Sequence, residues 1–203
     1  MVPVFNWFYL KGRCRDCGAR ISPRYPGVEA AGGILAVWCF FVYRTDPARA
    51  VLSFLAASLL LTIALIDWDT MEIPDGLNLS LAVLAVFSAV LFPEPGISSR
   101  MLGMVCVSLP MYLFCFVIDG AFGGGDIKLL GAMGFFLGWK ALVSGAVFGF
   151  FFGGLEAIYL LATGKARRGE GAHMAFGPAL CAGLFLAELY GESMISWYFG
   201  LFS

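Results

Sequence analysis

Two short acidic segments carry the residues of this chain that are best suited to chemistry. They read Ile66-Asp67-Trp68-Asp69-Thr70-Met71-Glu72-Ile73-Pro74-Asp75 and Gly123-Gly124-Gly125-Asp126-Ile127-Lys128, and each stands where a long apolar run meets water. Carboxylates are costly beside hydrocarbon, so acids at a membrane edge are candidates for function. Paired acids there indicate protolytic chemistry, ion handling or helix capping.

The two aspartates of the first segment point in different directions. Asp67 and Asp69 are two residues apart, which on a helix separates them by about 200°. One of them therefore faces neighbouring helices and the other faces water or lipid headgroups, so they do not form a mutual pair. Pro74 lacks an amide donor and disfavours a helical residue before it, which places both acids at a helix end.

The second segment places an acid after three glycines. Consecutive glycines carry a large entropy cost, so Gly123 to Gly125 indicate a sharp turn or a close backbone approach. Asp126 then opens the next apolar helix. Capping remains a second interpretation: Asp126 and Asp75 as helix caps, and Asp67 and Asp69 as a solvated helix end.

The composition indicates that this chain folds in a lipid bilayer rather than in water. Of the 203 residues, 60% are hydrophobic and 13% are charged, with 20 Phe and 26 Gly. These values predict an all-α, polytopic integral membrane protein embedded in a lipid bilayer. A formal net charge of -1 leaves no basic surface for phosphates, which argues against nucleic acid as a partner.

Apolar runs predict about seven transmembrane helices, some shorter than the roughly 20 residues that a perpendicular span needs. The runs cover 28–43, 50–66, 77–92, 101–118, 127–137, 141–162 and 175–199. We therefore expect one transmembrane helical domain over 28–203, preceded by a short basic segment over 1–27. That segment lacks the apolar core of a cleavable signal peptide.

Positive charges predict the orientation. With the amino terminus in the cytoplasm, nine Lys and Arg face inward and four face outward. The inward residues are Lys11, Arg13, Arg15, Arg20, Arg24, Lys128, Lys165, Arg167 and Arg168, and the outward ones are Arg44, Arg49, Arg100 and Lys140. This topology brings both acidic segments to the cytoplasmic leaflet.

Cys14 and Cys17 form a knuckle-like Cys-Arg-Asp-Cys-Gly turn in the basic segment. The spacing is typical of half of a tetrahedral thiolate site. A zinc ion would need its other ligands from water, a distant side chain or a second copy of the chain, which makes a homodimer one expected partner.

Five fragments together carry a resemblance to a known family. They are the segment from Gly12 to Ser22, Arg24-Tyr25-Pro26 with Val28-Glu29, the segment from Ile66 to Asp75, Gly123 to Lys128, and Phe176-Gly177-Pro178. In this order they resemble the type IV prepilin peptidases, intramembrane aspartic proteases of the bacterial inner membrane that serve type IV pili and type II secretion.

The resemblance implies an activity and residue roles. The family cuts the short basic leader of prepilins or pseudopilins after Gly at the cytoplasmic face. The catalytic acids carried over are Asp67 and Asp126, with Asp69 as runner-up for the first role. Pro74, Gly123, Gly125 and Lys128 support them, and Glu29 is a candidate for contact with the leader.

Proteolysis by two aspartates requires no cofactor, because close carboxyl groups share a proton and act as base and acid. Many family members also methylate the new amino terminus with S-adenosylmethionine. Such members begin with a further apolar span and carry two Cys-x-x-Cys pairs, whereas this chain starts almost at the second pair. We therefore expect cleavage without efficient methylation.

Two other classes of function remain open. A small transporter or proton channel would use the same acids, with Glu156 and Glu188 as relay groups inside the last two spans. An inactive scaffold would bind pilin-like helices without cutting them. His173 is interpreted as an interfacial polar residue.

Overall fold

The computed structural model describes residues 3–118, 122–163 and 175–200. His173 and three of the basic residues used for orientation, Lys165, Arg167 and Arg168, lie outside the described residues. The described helices are α1 (Pro3–Tyr9), α2 (Arg24–Val42), α3 (Pro47–Thr70), α4 (Asp75–Leu91), α5 (Ile97–Cys106), α6 (Ser108–Val117), α7 (Gly124–Leu137), α8 (Trp139–Ala162) and α9 (Gly177–Gly200). One isolated β-bridge joins Arg13 and Arg20.

Every predicted apolar run coincides with helix, α5 and α6 together forming the fourth. Within the described residues, five helical stretches are long and apolar enough to cross a membrane: α2, α3, α5 with α6, α8, and most of α9. The all-α polytopic class is therefore confirmed. Helix α4 has 17 residues and α7 has 14, both short for a span, so the count of seven crossings stays a prediction. The cytoplasmic position of the amino terminus also stays a prediction.

The chain divides into two compact units, Met1–Phe54 and Leu55–Ser203. In the first unit, the stretch that follows α1 folds back on this helix. The Trp7 Nε1–H donates to the carbonyl of Ile21 at 3.1 Å, and the Cys14 N–H donates to the carbonyl of Ala19 at 2.8 Å. The predicted domain boundary at residue 27 stays a prediction.

The second unit packs α8 along α9 and α4 and α5 against α7. Glycines allow α8 and α9 to approach closely: a Cβ on Gly183 would lie 2.4 Å from the Gly149 nitrogen and 2.5 Å from the Gly145 carbonyl oxygen. Small residues are the usual means of close helix packing in membranes, where apolar burial gives little driving force between helices.

Arg100 lies where the carboxyl ends of α4 and α7 meet the start of α5, at the opposite end of α7 from Asp126. The sequence pattern placed it among outward loop charges, but its side chain is only 1% exposed. The guanidinium donates to carbonyl groups at the ends of α4 and α7 and in the loop between α4 and α5: Phe92, Glu94, Pro95, Phe135 and Phe136, at 2.8–3.4 Å. A buried arginine thus satisfies helix carboxyl ends that have no intrahelical donors.

Candidate active site

The last turn of α3 positions Asp67. Its side chain is 6% exposed, whereas Asp69 on the same turn is exposed. This difference matches the angular separation predicted from their spacing. The helix ends at Thr70, and the next residue, Met71, has a φ of 56°, in the left-handed region, and donates its N–H to the Asp67 carbonyl at 2.8 Å. A non-glycine residue in this conformation stores about 1 kcal/mol of strain beside the site.

The amino terminus of α9 holds the Asp67 carboxylate. Gly177, the first residue of α9, donates its backbone N–H to Asp67 Oδ2 at 2.8 Å. This amide is one of the helix's first donors, which have no intrahelical acceptor, and the positive end of the helix dipole favours a carboxylate there. A Cβ on Gly177 would lie 2.6 Å from that oxygen, so the contact requires glycine.

The first turn of α7 positions Asp126. Gly123 is the N-cap and Asp126 is the third helical residue, and its carboxylate accepts a hydrogen bond from the Gly123 backbone N–H. An acid three residues after the N-cap reaches back in this way in a capping box. The other oxygen, Oδ1, is buried and has no hydrogen-bond partner within the described residues. It remains available to water or substrate.

Close approach, rather than an unusual backbone angle, explains the glycine at position 125. A Cβ there would lie 2.7 Å from Ile73 Cβ and 3.4 Å from the Ile73 carbonyl oxygen. Gly123 has an extended backbone, with φ of −67°. The first turn of α7 therefore packs directly on the turn that follows α3.

The two aspartates line one cavity of about 420 Å³. The turn from Met71 to Asp75 and the glycines Gly123 to Gly125 complete its wall. Asp67 also acts electrostatically on Asp126, as expected for carboxylates at close range. The structure thus brings together Asp67, Asp126, Pro74, Gly123 and Gly125, which the sequence analysis selected.

Lys128 pairs with Asp75 rather than with Asp67 or Asp126. Its Nζ lies 2.6 Å from Asp75 Oδ1, and both side chains are more than half exposed. Nearby, Asn78 Nδ2 donates to the Gly125 carbonyl at 3.2 Å. These contacts fasten the start of α4 to the start of α7 and so help to position Asp126.

Sequence reasoning assigned no role to Asn78 or Gly177. Gly177 belongs to Phe176-Gly177-Pro178, one of the five fragments that carry the family resemblance. A glycine followed by proline at the start of a helix was the one sequence feature that could have indicated its role. Glu156, considered only as a relay group for transport, lies half-buried on α8 and acts electrostatically on Asp67.

The thiol pair lies in the first unit. Cys14 is half-buried and Cys17 exposed, and both are free thiols. Hydrogen bonds from the backbone amides of Cys17 and Asp16 lower the pKa of the Cys14 thiol. Among the described residues, no three His, Cys, Asp or Glu side chains are grouped to hold a metal ion. Two thiolates supply half of a tetrahedral set, so the tentative zinc half site stays a prediction.

Glu29 also belongs to the first unit, where it is exposed on the second turn of α2. Its predicted contact with a leader peptide stays a prediction.

Comparisons with known proteins identify the family. The model of the type IV leader peptidase family matches residues 54–158, a range that contains both acidic segments. The model of the bacterial peptidase A24 N-terminal domain matches residues 1–43. No solved structure gives a significant match.

Curated relatives cover nearly the whole chain. A protein of Bacillus subtilis (strain 168) is 31% identical over 202 residues, which are 98% of this chain and 79% of the relative. A protein of Aeromonas salmonicida (strain A449) is 32% identical over 207 residues, 97% of this chain and 68% of the relative. Both are named prepilin leader peptidase/N-methyltransferase.

The matched ranges, the relatives and the shared cavity of the two aspartates support one assignment. This chain is a membrane peptidase that belongs to the type IV leader peptidase family.

Proposed function

We propose that this chain is a prepilin peptidase that uses Asp67 and Asp126 to cut the basic leader of prepilins or pseudopilins after Gly. The reaction takes place at the cytoplasmic face of the bacterial inner membrane. The observation that carries the proposal is the shared cavity, in which two carboxyl groups from separate helices meet at the end of an apolar helix.

The chemistry follows from the proximity of the two acids. Two close carboxyl groups do not both ionise easily, so they hold one proton between them. The ionised member removes a proton from a water molecule, whose oxygen attacks the scissile carbonyl carbon. The protonated member donates a hydrogen bond to the carbonyl oxygen. When the C–N bond breaks, the leaving amine receives the proton taken from water.

The cavity is suited to a positively charged leader. Glu72 and Asp75 line it beside the two aspartates. Asp75 is paired with Lys128, but Glu72 and the aspartate pair, which shares one proton, still give this concave site a net negative charge. That charge attracts a basic peptide and raises its local concentration. Bound there, the leader places its final peptide bond next to the aspartate pair.

The test is cleavage of a purified prepilin by protein in detergent, with no ion gradient and no added partner. Asp67→Asn and Asp126→Asn should each reduce cleavage by more than about a hundredfold, because each removes one member of the acid-base pair. Asp69→Asn is the matched control and should be mild, since Asp69 is exposed.

If Asp67→Asn or Asp126→Asn keeps more than about a hundredth of wild-type activity, the two aspartates do not act as the catalytic pair. Failure of the wild-type protein to cut any prepilin would instead favour a transporter or an inactive pilin-binding scaffold. Membrane accumulation of all three variants is the control for folding.

Methyl transfer is a second candidate function, favoured by the names of the relatives, which join peptidase and N-methyltransferase. Its product is the mature pilin methylated on its new amino terminus, with S-adenosylmethionine as donor. Mass spectrometry of pilin processed in cells that contain this peptidase alone distinguishes the outcomes. An added methyl group supports the second function, and an unmodified amine supports cleavage alone.

A further inference from the structure

A second cavity, of about 680 Å³, lies beside the aspartate cavity. It runs along one face each of α4, α7 and the stretch from α5 to α6, and apolar side chains form most of its wall. We call it the apolar groove and define it by Leu79, Ala82 and Val86 of α4 and Gly131, Ala132 and Phe135 of α7.

The apolar groove is continuous with the aspartate cavity, because Asp75 lines both. The ion pair between Asp75 and Lys128 stands at their junction. A chain that leaves the acidic cavity past this pair enters an apolar channel directly. The two cavities together thus fit a substrate that changes from polar to apolar close to its scissile bond.

One polar group in the groove lacks a partner. Asn78 is 5% exposed and lines the groove one turn beyond Asp75, and its Nδ2 already donates to Gly125. Within the described residues, its Oδ1 is buried without a hydrogen-bond donor. An unpaired buried acceptor is costly, and a backbone N–H of a bound peptide would satisfy it.

The dimensions favour a helical segment. The groove follows α4 from Asp75 to Val86, about 16 Å at 1.5 Å per residue, which matches about three turns of a second helix. Ala82, Gly131 and Ala132 are small, and small residues let a helix backbone approach closely within a membrane.

We infer that the apolar groove binds the apolar segment of the substrate on the carboxyl side of the scissile bond. Asn78 Oδ1 then accepts a backbone N–H from the first turn of that helical segment, where the N–H groups have no intrahelical acceptor. The inference rests on the proposed function. It adds a subsite that selects substrates by the apolar character of the segment following the leader, in addition to selection by leader charge.

The experiment compares two substrates with the same leader and scissile bond: a full prepilin, and a peptide truncated a few residues beyond that bond. The measured quantity is the ratio of kcat/KM for the full prepilin to kcat/KM for the peptide. Ala82→Leu fills the groove and should lower this ratio at least about tenfold through a higher KM for the full prepilin. Ala132→Leu, on the opposite wall, repeats the test if Ala82→Leu fails to accumulate.

Ser80→Leu is the matched control. Ser80 lies on the same helix and lines a different cavity, against α3, so the added side chain leaves the groove open and the ratio unchanged. An unchanged ratio in both groove variants would overturn the inference, as would an equal fall after Ser80→Leu. If the wild-type protein cuts neither substrate, the proposed function itself fails, which is a distinguishable outcome.

Discussion

Replacing Gly177 by alanine tests whether the amino terminus of α9 positions Asp67. The added Cβ would lie 2.6 Å from Asp67 Oδ2, 2.8 Å from Cγ and 3.0 Å from Cβ. Carbon and oxygen atoms in ordinary contact are about 3.5 Å apart, so the carboxylate or the helix must move by about 1 Å. The contacts extend to the Asp67 Cβ, so rotation of the carboxylate alone does not relieve them.

Two consequences follow for Gly177→Ala. Loss of the 2.8 Å hydrogen bond between the Gly177 amide and the Asp67 carboxylate costs about 1.5–3 kcal/mol, the range for bonds to charged groups. A misplacement of about 1 Å in a reacting group costs about a hundredfold in rate. We therefore expect kcat for prepilin cleavage to fall about a hundredfold, with a modest decrease in the midpoint of thermal unfolding.

The assay is steady-state cleavage by purified protein in detergent, together with thermal unfolding of the same samples. Gly154→Ala is the control, because Gly154 lies within α8 and a Cβ there would have no heavy atom within 4 Å. It should keep full activity, and alanine should stabilise the helix slightly. If Gly177→Ala retains activity within a few-fold of wild type, Asp67 does not depend on this contact and the reasoning is wrong.

Three further changes test other parts of the structure. Gly125→Ala should lower kcat by at least about tenfold, because its Cβ would meet Ile73 at 2.7 Å and displace Asp126, whereas Gly76→Ala in open space should not. Arg100→Lys should lose about 1–3 kcal/mol of stability, seen as a lower unfolding midpoint, with kcat of the folded protein kept, since Arg100 binds the end of α7 remote from Asp126. The double change of Cys14 and Cys17 to serine should preserve cleavage; one tightly held zinc per chain together with an inactive double variant would contradict this. The lowered pKa of Cys14 predicts that its alkylation by iodoacetamide reaches full rate at a lower pH than for an unperturbed thiol, because the backbone amides stabilise the thiolate.

Local sequence patterns were sufficient to predict the helices and to predict that Asp67 and Asp69 point to different surroundings. Apolar runs coincide with helices because hydrocarbon requires backbone groups to bond within their own segment. The spacing of Asp67 and Asp69 separated a buried from an exposed acid because helix geometry fixes the angle between them. The glycines before Asp126 indicated a close approach, which the contact with Ile73 explains.

Contacts between distant parts of the chain lie beyond such patterns. Gly177 and Asp67 are 110 residues apart, and Lys128 and Asp75 are 53 apart. Arg100 was counted among the outward-facing charges, since it directly precedes the apolar run over 101–118. Nothing local distinguishes a solvated arginine from one that binds the carbonyl ends of two helices.

The two aspartates are held by different means, and this difference bears on how the site works. Asp67 is fixed on one oxygen by an amide from the start of α9, whereas Asp126 is held by the first turn of its own helix and keeps a buried oxygen without a partner in the described structure. Both arrangements depend on a glycine that allows one backbone to approach another element closely, Gly177 for α9 and Gly125 for α7. The distance between the carboxyl groups is therefore set by helix packing rather than by side-chain conformation. Changes that alter the packing of α7 or α9 should accordingly reduce the rate of cleavage before they reduce the affinity for the leader.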